Sequence, residues 1–137
     1  MAERRETYNA GVSVQAMLES MAPGLDRAIL RILSQRVGRE MAISRPNLLT
    51  ALKALGFDVH ERQARAMINE LRKKGHLICS TGGSEGGYWL AASWDELSEY
   101  LEREVHPRAM DLLEQEQALR RAGERIWGPE SHQAKLF

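Results

Sequence analysis

Three glycines, Gly38, Gly56 and Gly75, punctuate the first half of the chain eighteen and nineteen residues apart, and each closes a run whose apolar residues recur at helical intervals. That rhythm leaves room for three short helices and no long strand among them. Pro23-Gly24 opens the first run, which begins at Asp26 and carries Ile29, Leu30, Leu33 and Val37. Residues 40–43 (Glu-Met-Ala-Ile) have room for one brief strand. The second run starts at Ser44, a good N-cap, with Pro46 in the first turn where its missing N–H does no harm. Its apolar face is Leu48, Leu49, Leu52 and Leu55, and Gly56 suits the position just past a helix end. The third run follows a turn at Phe57. Asp58-Val59-His60-Glu61 reads as a capping box, and Ala64, Met67, Ile68 and Leu71 lie on one face before Gly75.

Past Gly75 the period changes. His76-Leu77-Ile78-Cys79-Ser80 and Tyr88-Trp89-Leu90-Ala91 flank a glycine-rich stretch, residues 81–87, which makes a β-hairpin the economical reading. Ser93-Trp94-Asp95-Glu96 is a second capping box. It opens a long helical run through Leu97, Leu101, Val105, Ala109, Leu112, Leu113 and Leu119, with a kink expected at Pro107 and fading signals past Gly123. A short helix is expected over residues 14–21, and Trp89 and Trp94 are expected to pack in the core. The organisation is then a flexible N-terminal segment at 1–22, a compact domain at 23–92, a helical extension at 93–122 and a flexible tail at 123–137. The fold class is mainly α with a small β-hairpin.

This order of helix, short strand, helix, turn, helix and two-stranded hairpin resembles the winged helix-turn-helix domain. Residues 44–56 stand as its second helix, 58–75 as its third and 76–91 as its wing; the stretch Asn69-Glu-Leu-Arg-Lys-Lys-Gly-His-Leu-Ile78, with Gly87-Tyr-Trp-Leu90 after the glycine loop, is similar to small bacterial and prophage members. The resemblance implies a third helix that enters the major groove of double-stranded DNA and a wing that touches the backbone or minor groove.

The charges agree with that placement. The chain has 19 Lys and Arg against 19 Asp and Glu, so net charge argues for no partner, but the distribution is uneven. Residues 23–80 hold eleven bases and five acids, whereas residues 92–121 hold four bases and eight acids. Opposite the apolar face of the third helix lie Arg62, Arg65, Asn69, Arg72 and Lys73. Arg62 to Arg72 spans ~15 Å of helix, a length that suits a major groove, whose floor offers acceptors to arginine and both donors and acceptors to asparagine. Lys74 and Lys53 suit phosphates. The glycine loop lacks Lys and Arg and contains Glu85, so a flexible wing tip with a minor share of DNA affinity is expected. It also lacks the Gly-Lys-Ser/Thr ending of a nucleotide-binding loop.

The last five residues, Gln133-Ala134-Lys135-Leu136-Phe137, resemble the pentapeptide by which many bacterial replication and repair proteins bind the sliding clamp. Gln133, Leu136 and Phe137 match its strongest positions, while Ala134 is smaller than the usual second residue and Lys135 departs from the usual third. Two large apolar side chains after Gly128-Pro129 suit a partner pocket, and the glutamine amide can fix their orientation.

Other chemistries find little support. One cysteine, Cys79, excludes an internal disulfide framework and a multi-thiolate metal site, and suits a reducing cytoplasm. His76 and Cys79 are three apart in an expected strand and so face opposite ways. The acids Asp95, Glu99, Glu102 and Glu104 read as a solvated helix face. No catalytic set, metal site or cofactor is expected, nor a membrane span or secretory leader. The expectation is a cytoplasmic, non-enzymatic DNA-binding protein of bacterial or phage replication that is tethered to the sliding clamp, with self-association through the helix beginning at Trp94. The alternatives are a dimeric transcriptional regulator without clamp contact, and a protein-interaction module that binds no DNA.

Overall fold

The computed structural model describes residues 16, 18–83 and 86–128. It is mainly helical, with a small three-stranded antiparallel sheet and a long C-terminal helix. In chain order the elements are α1 (Leu25–Leu33), a 3-10 turn (Arg39–Met41), β1 (Ile43–Ser44), α2 (Arg45–Ala54), α3 (Glu61–Lys73), β2 (Ile78–Ser80), β3 (Gly87–Leu90) and α4 (Trp94–Tyr100). A π-helical segment (Leu101–Val105) and α5 (His106–Trp127) follow. The chain divides into two compact units between Tyr100 and Leu101. Among the described residues no helix is long and apolar enough to cross a membrane.

The first unit is built on the apolar faces read from the periodicity. Ile29, Leu30 and Leu33 of α1, Leu48 and Leu52 of α2, and Ala64, Ile68 and Leu71 of α3 are buried together with Ile43, Ile78, Tyr88 and Leu90. Local chemistry sets the helix ends. Ser44 Oγ accepts from the Asn47 N–H at 3.3 Å with Pro46 beside it, and Gly56 and Gly75 take φ of +95° and +94° just past α2 and α3.

The sheet order is β1-β3-β2, with Ile43 opposite Tyr88 and Cys79 opposite Trp89. Strand alternation sends Tyr88 and Leu90 to the three-helix core, and Trp89 with Cys79 to a second cluster that Leu97 and Tyr100 of α4 cover. The hairpin is therefore packed on both faces, which is why every residue of β3 is buried. Gly87 is required here: a Cβ on it would collide with the Ile43 carbonyl oxygen across the β1–β3 pair.

Several local expectations are corrected. Helix α1 stops at Leu33 and does not reach Gly38, because Leu90 takes the backbone instead: its N–H donates to Arg36 O and its carbonyl accepts from Gly38 N, each at 2.8 Å. Residues 40–43 are mostly 3-10 turn, and the strand is Ile43–Ser44. Helix α3 begins at Glu61, not at Asp58. Its cap is His60, whose N–H donates to Gln63 Oε1 at 2.9 Å. Leu55 lies beyond α2 and is exposed, as is Trp94, at 61 %, so neither belongs to the core. The last helix continues through Gly123 to Trp127, with Gly128 at φ +83° after it. Pro107 lies in the first turn of α5, where its missing N–H does no harm, directly after the π-helical segment. Part of residues 14–21, and all of 129–137, lie outside the described residues.

Candidate nucleic-acid interface

Helix α3 has 13 residues, ~20 Å of axis. At about 100° per residue, Arg62, Asn69 and Lys73 fall within a narrow stripe opposite Ala64 and Leu71, with Arg65 at its flank. All four are exposed. Lys53, in the last turn of α2, and Lys74, which caps α3, are exposed as well. The first unit thus presents the expected side chains on the surface, but their surroundings divide them into three groups.

The side chains of Arg62, Lys53 and Lys74 make no hydrogen bond or ion pair with any described residue. Arg65 and Lys73 are each paired along the helix. Arg65 Nη2 lies 2.8 Å from Glu61 Oε1, and Lys73 Nζ lies 3.2 Å from Glu70 Oε1. Such exposed pairs are worth about 0–1 kcal/mol, so a phosphate can compete for either base.

Arg72 is different. It stands at the edge of the stripe, about 80° from Arg62, and turns toward the hairpin. Its Nε donates to Ile78 O at 2.8 Å, Nη2 to Ser80 Oγ at 3.0 Å and Nη1 to Asn69 Oδ1 at 3.2 Å. Its guanidinium also lies 5.3 Å from the centre of the Tyr100 ring. The side chain is a strap joining α3, β2 and the end of α4, and it holds Asn69 by its amide oxygen.

Arg45 is a second strap, and sequence reasoning did not single it out. Its Nη2 donates to Thr81 O at 2.8 Å and Nη1 to Gly83 O at 3.2 Å, while Nε lies 3.7 Å from Glu61 and the guanidinium packs over Tyr88. The described part of the glycine loop is therefore tied to the start of α2 and α3 rather than loose. One signal for this was available: a base in the first turn of a helix opposes the macrodipole and calls for a compensating tertiary partner.

Behind the hairpin, the Trp89 indole N–H donates to Glu96 Oε1 at 2.7 Å, and the same oxygen accepts from Ala92 N at 3.2 Å. Ser93 Oγ caps α4 by accepting from Glu96 N at 3.1 Å, as the capping-box reading expected of the serine. Cys79 is fully buried and unpaired; burial first, then the Glu96 carboxylate, pushes its thiol up to about 12, against the opposing pull of Arg72. It is a packing residue in its neutral form. His76 is held below its usual value by partial burial and by Lys74, so it adds no positive charge to the basic face at neutral pH.

No protein-family model matches this chain, and no curated protein or solved structure does.

Proposed function

We propose that the chain is a cytoplasmic, non-enzymatic winged-helix protein that binds double-stranded DNA through α3 and the bacterial sliding clamp through Gln133, Leu136 and Phe137. The observation that carries the DNA reading is the exposed stripe of Arg62, Arg65, Asn69 and Lys73 on a helix of groove length whose opposite face is buried. Arg62 and Asn69 are the base-reading candidates, because arginine matches guanine acceptors and the Asn69 amide N–H groups can donate to a base-edge acceptor. Lys53, Lys74 and Lys73 serve phosphates. Arg72 acts indirectly, by holding Asn69 and the hairpin.

Fluorescence anisotropy with a short duplex tests this. With the three phosphate contacts of Lys53, Lys74 and Lys73, log affinity falls against log salt with a slope of about −3. Arg62→Ala with Lys74→Ala should keep the fold, weaken binding and make the slope shallower by about one for each phosphate contact removed. Equal binding by the folded double variant refutes the interface; no binding by the parent chain leaves the protein-interaction alternative standing.

The clamp reading rests on the terminal residues, which lie outside those described. Burying Leu136 and Phe137 would contribute ~1.5–3 kcal/mol each before ordering costs, so micromolar affinity is expected. Calorimetry against the clamp, with and without those two residues, decides it: binding only by the intact chain supports the tether, equal binding by both shows that the tail is not a clamp motif, and no binding by the intact chain favours a regulator without clamp contact. A second copy of the chain is the remaining partner in this reading, with α5 supplying the surface.

A further inference from the structure

The apolar residues of α5 find no core within the described residues. Val105, just before it, and Leu112, Leu119 and Ile126 recur every seven residues, and the last three are 64 %, 73 % and 69 % exposed. A strict seven-residue repeat is the spacing that keeps a stripe facing a partner helix along its length. The helix has 22 residues, ~33 Å of axis, long enough for three layers of such contacts. Leu97, also counted toward this stripe from sequence, belongs elsewhere: it covers Cys79, Trp89 and Ala91 in the first unit.

Three features of α5 say what covers it. Its halves carry opposite charge. Residues 106–117 hold Arg108 against Asp111, Glu114 and Glu116, and residues 118–127 hold Arg120, Arg121 and Arg125 against Glu124. The positions that alternate with the large stripe are small at Ala109 and at Gly123, which is flanked by the Trp127 ring, with Glu116 between them. When a second α5 is laid antiparallel so that paired residue numbers sum to 235, Ile126 falls on Ala109, and Leu112 on Gly123, in both directions. Glu116 meets Leu119 in the central layer, and its carboxylate is held by Arg120 at 2.8 Å, so the one charge in the seam is already paired. A parallel arrangement would set Leu112 on Leu112, Gly123 on Gly123, and the acidic half on the acidic half.

We infer that α5 forms an antiparallel two-helix seam with the α5 of a second copy, with Leu112, Leu119 and Ile126 of each chain packed on Gly123, Glu116 and Ala109 of the other. Small residues opposite large ones bring the helices close, the charged halves attract, and the opposed macrodipoles add to the preference. This inference rests on the self-association named above and adds its orientation and register.

Sedimentation equilibrium of the full chain at micromolar concentration should give twice the chain mass of 15.5 kDa. Leu112→Glu with Leu119→Glu should give a monomer, and because both side chains are exposed the fold should be kept. Orientation is read by oxidative cross-linking at Gln115 and Ala122, which flank the seam on facing helices in the antiparallel register. Gln115→Cys alone and Ala122→Cys alone should give no disulfide-linked dimer, and the two together in one chain should. The native Cys79 is fully buried and does not compete. A monomeric parent chain overturns self-association itself. A dimer in which either single variant cross-links is parallel, and overturns the orientation alone. A dimer that survives the two glutamates overturns the seam.

Discussion

Replacing Arg72 by alanine should weaken the fold before it touches any ligand. The side chain makes two part-buried hydrogen bonds, to Ile78 O at 2.8 Å and Ser80 Oγ at 3.0 Å, and one exposed bond to Asn69. Net hydrogen bonds to a charged group are worth about 1.5–3 kcal/mol each, and the two part-buried ones belong at the lower end because water reaches the guanidinium. The ring contact with Tyr100 adds about 0.5–1 kcal/mol. Allowing for water that replaces the lost donors, the net cost is roughly 2–3 kcal/mol, or about 10–20 °C in melting temperature for a domain of this size. Arg62→Ala, on the same helix with no described partner, should stay within about 0.5 kcal/mol of the parent. Arg72→Lys keeps the charge but offers a point instead of a fork, so it should recover little.

Thermal denaturation followed by circular dichroism separates these cases. The reasoning requires Arg72→Ala to melt far below Arg62→Ala, with Arg72→Lys close to the alanine variant. A melting temperature for Arg72→Ala within about 2 °C of the parent would show that the strap carries no net energy, and would return Arg72 to the set of groups available for DNA.

Two further substitutions probe what positions the hairpin. Glu96→Ala removes the acceptor of the buried Trp89 indole and of Ala92 N, and should cost about 1–3 kcal/mol in chemical denaturation, with Glu96→Gln milder because its amide oxygen still accepts. Gly87→Ala places a methyl against the Ile43 carbonyl and should destabilise by about 1–3 kcal/mol, whereas Gly82→Ala, with open space around it, should change stability little.

The parts of the fold that were legible in sequence are those fixed by nearest-neighbour chemistry. Ser44 with Pro46, the glycines at 56 and 75, and the apolar face of α3 each announce a local geometry that the tertiary structure keeps. What was not legible depends on a distant partner or on two local patterns of equal merit. Asp58-x-x-Glu61 and His60-x-x-Gln63 both have capping spacing, and the structure uses the second, with Phe57 and Val59 packed against the core. Val37 fits the helical period of α1, yet the neighbouring backbone pairs with Leu90 across more than fifty residues. The run Gly-Tyr-Trp-Leu hides its alternation because α4 buries the second face. Gly123 costs only about 1 kcal/mol against alanine inside a helix, and Ala122, Glu124 and Arg125 around it are good formers, so α5 passes through. The basic stripe was legible as a face. The division of its members into unpartnered, paired and structural was not, because the acceptors that engage Arg72 sit on a strand whose register no helical spacing encodes.

That division bears on how tightly one copy can hold DNA. Of the proposed cations, Arg72 is committed to the fold, while Arg65 and Lys73 keep Glu61 and Glu70 within 2.8 and 3.2 Å, where the carboxylates repel a phosphate even after the base has let go. Three cations, Arg62, Lys53 and Lys74, act without an attached acid, so a single face should bind non-specifically in the range of about 10⁻⁴–10⁻⁶ M at physiological salt. In the proposed dimer, two faces joined through α5 would change that arithmetic. The second face binds at an effective concentration set by the connection, and the gain can reach about 10²–10⁴ without a new contact. The number of phosphates engaged also doubles, so the salt slope steepens in proportion. Leu112→Glu with Leu119→Glu, distant in sequence from every proposed DNA contact, should therefore lower the affinity for a long duplex by about 10²-fold and roughly halve the salt slope, while binding to a duplex too short for two copies stays the same. Equal affinity and equal slope for parent and variant on the long duplex would mean that one α3 face suffices, and that its ion pairs open more readily on DNA than their geometry implies.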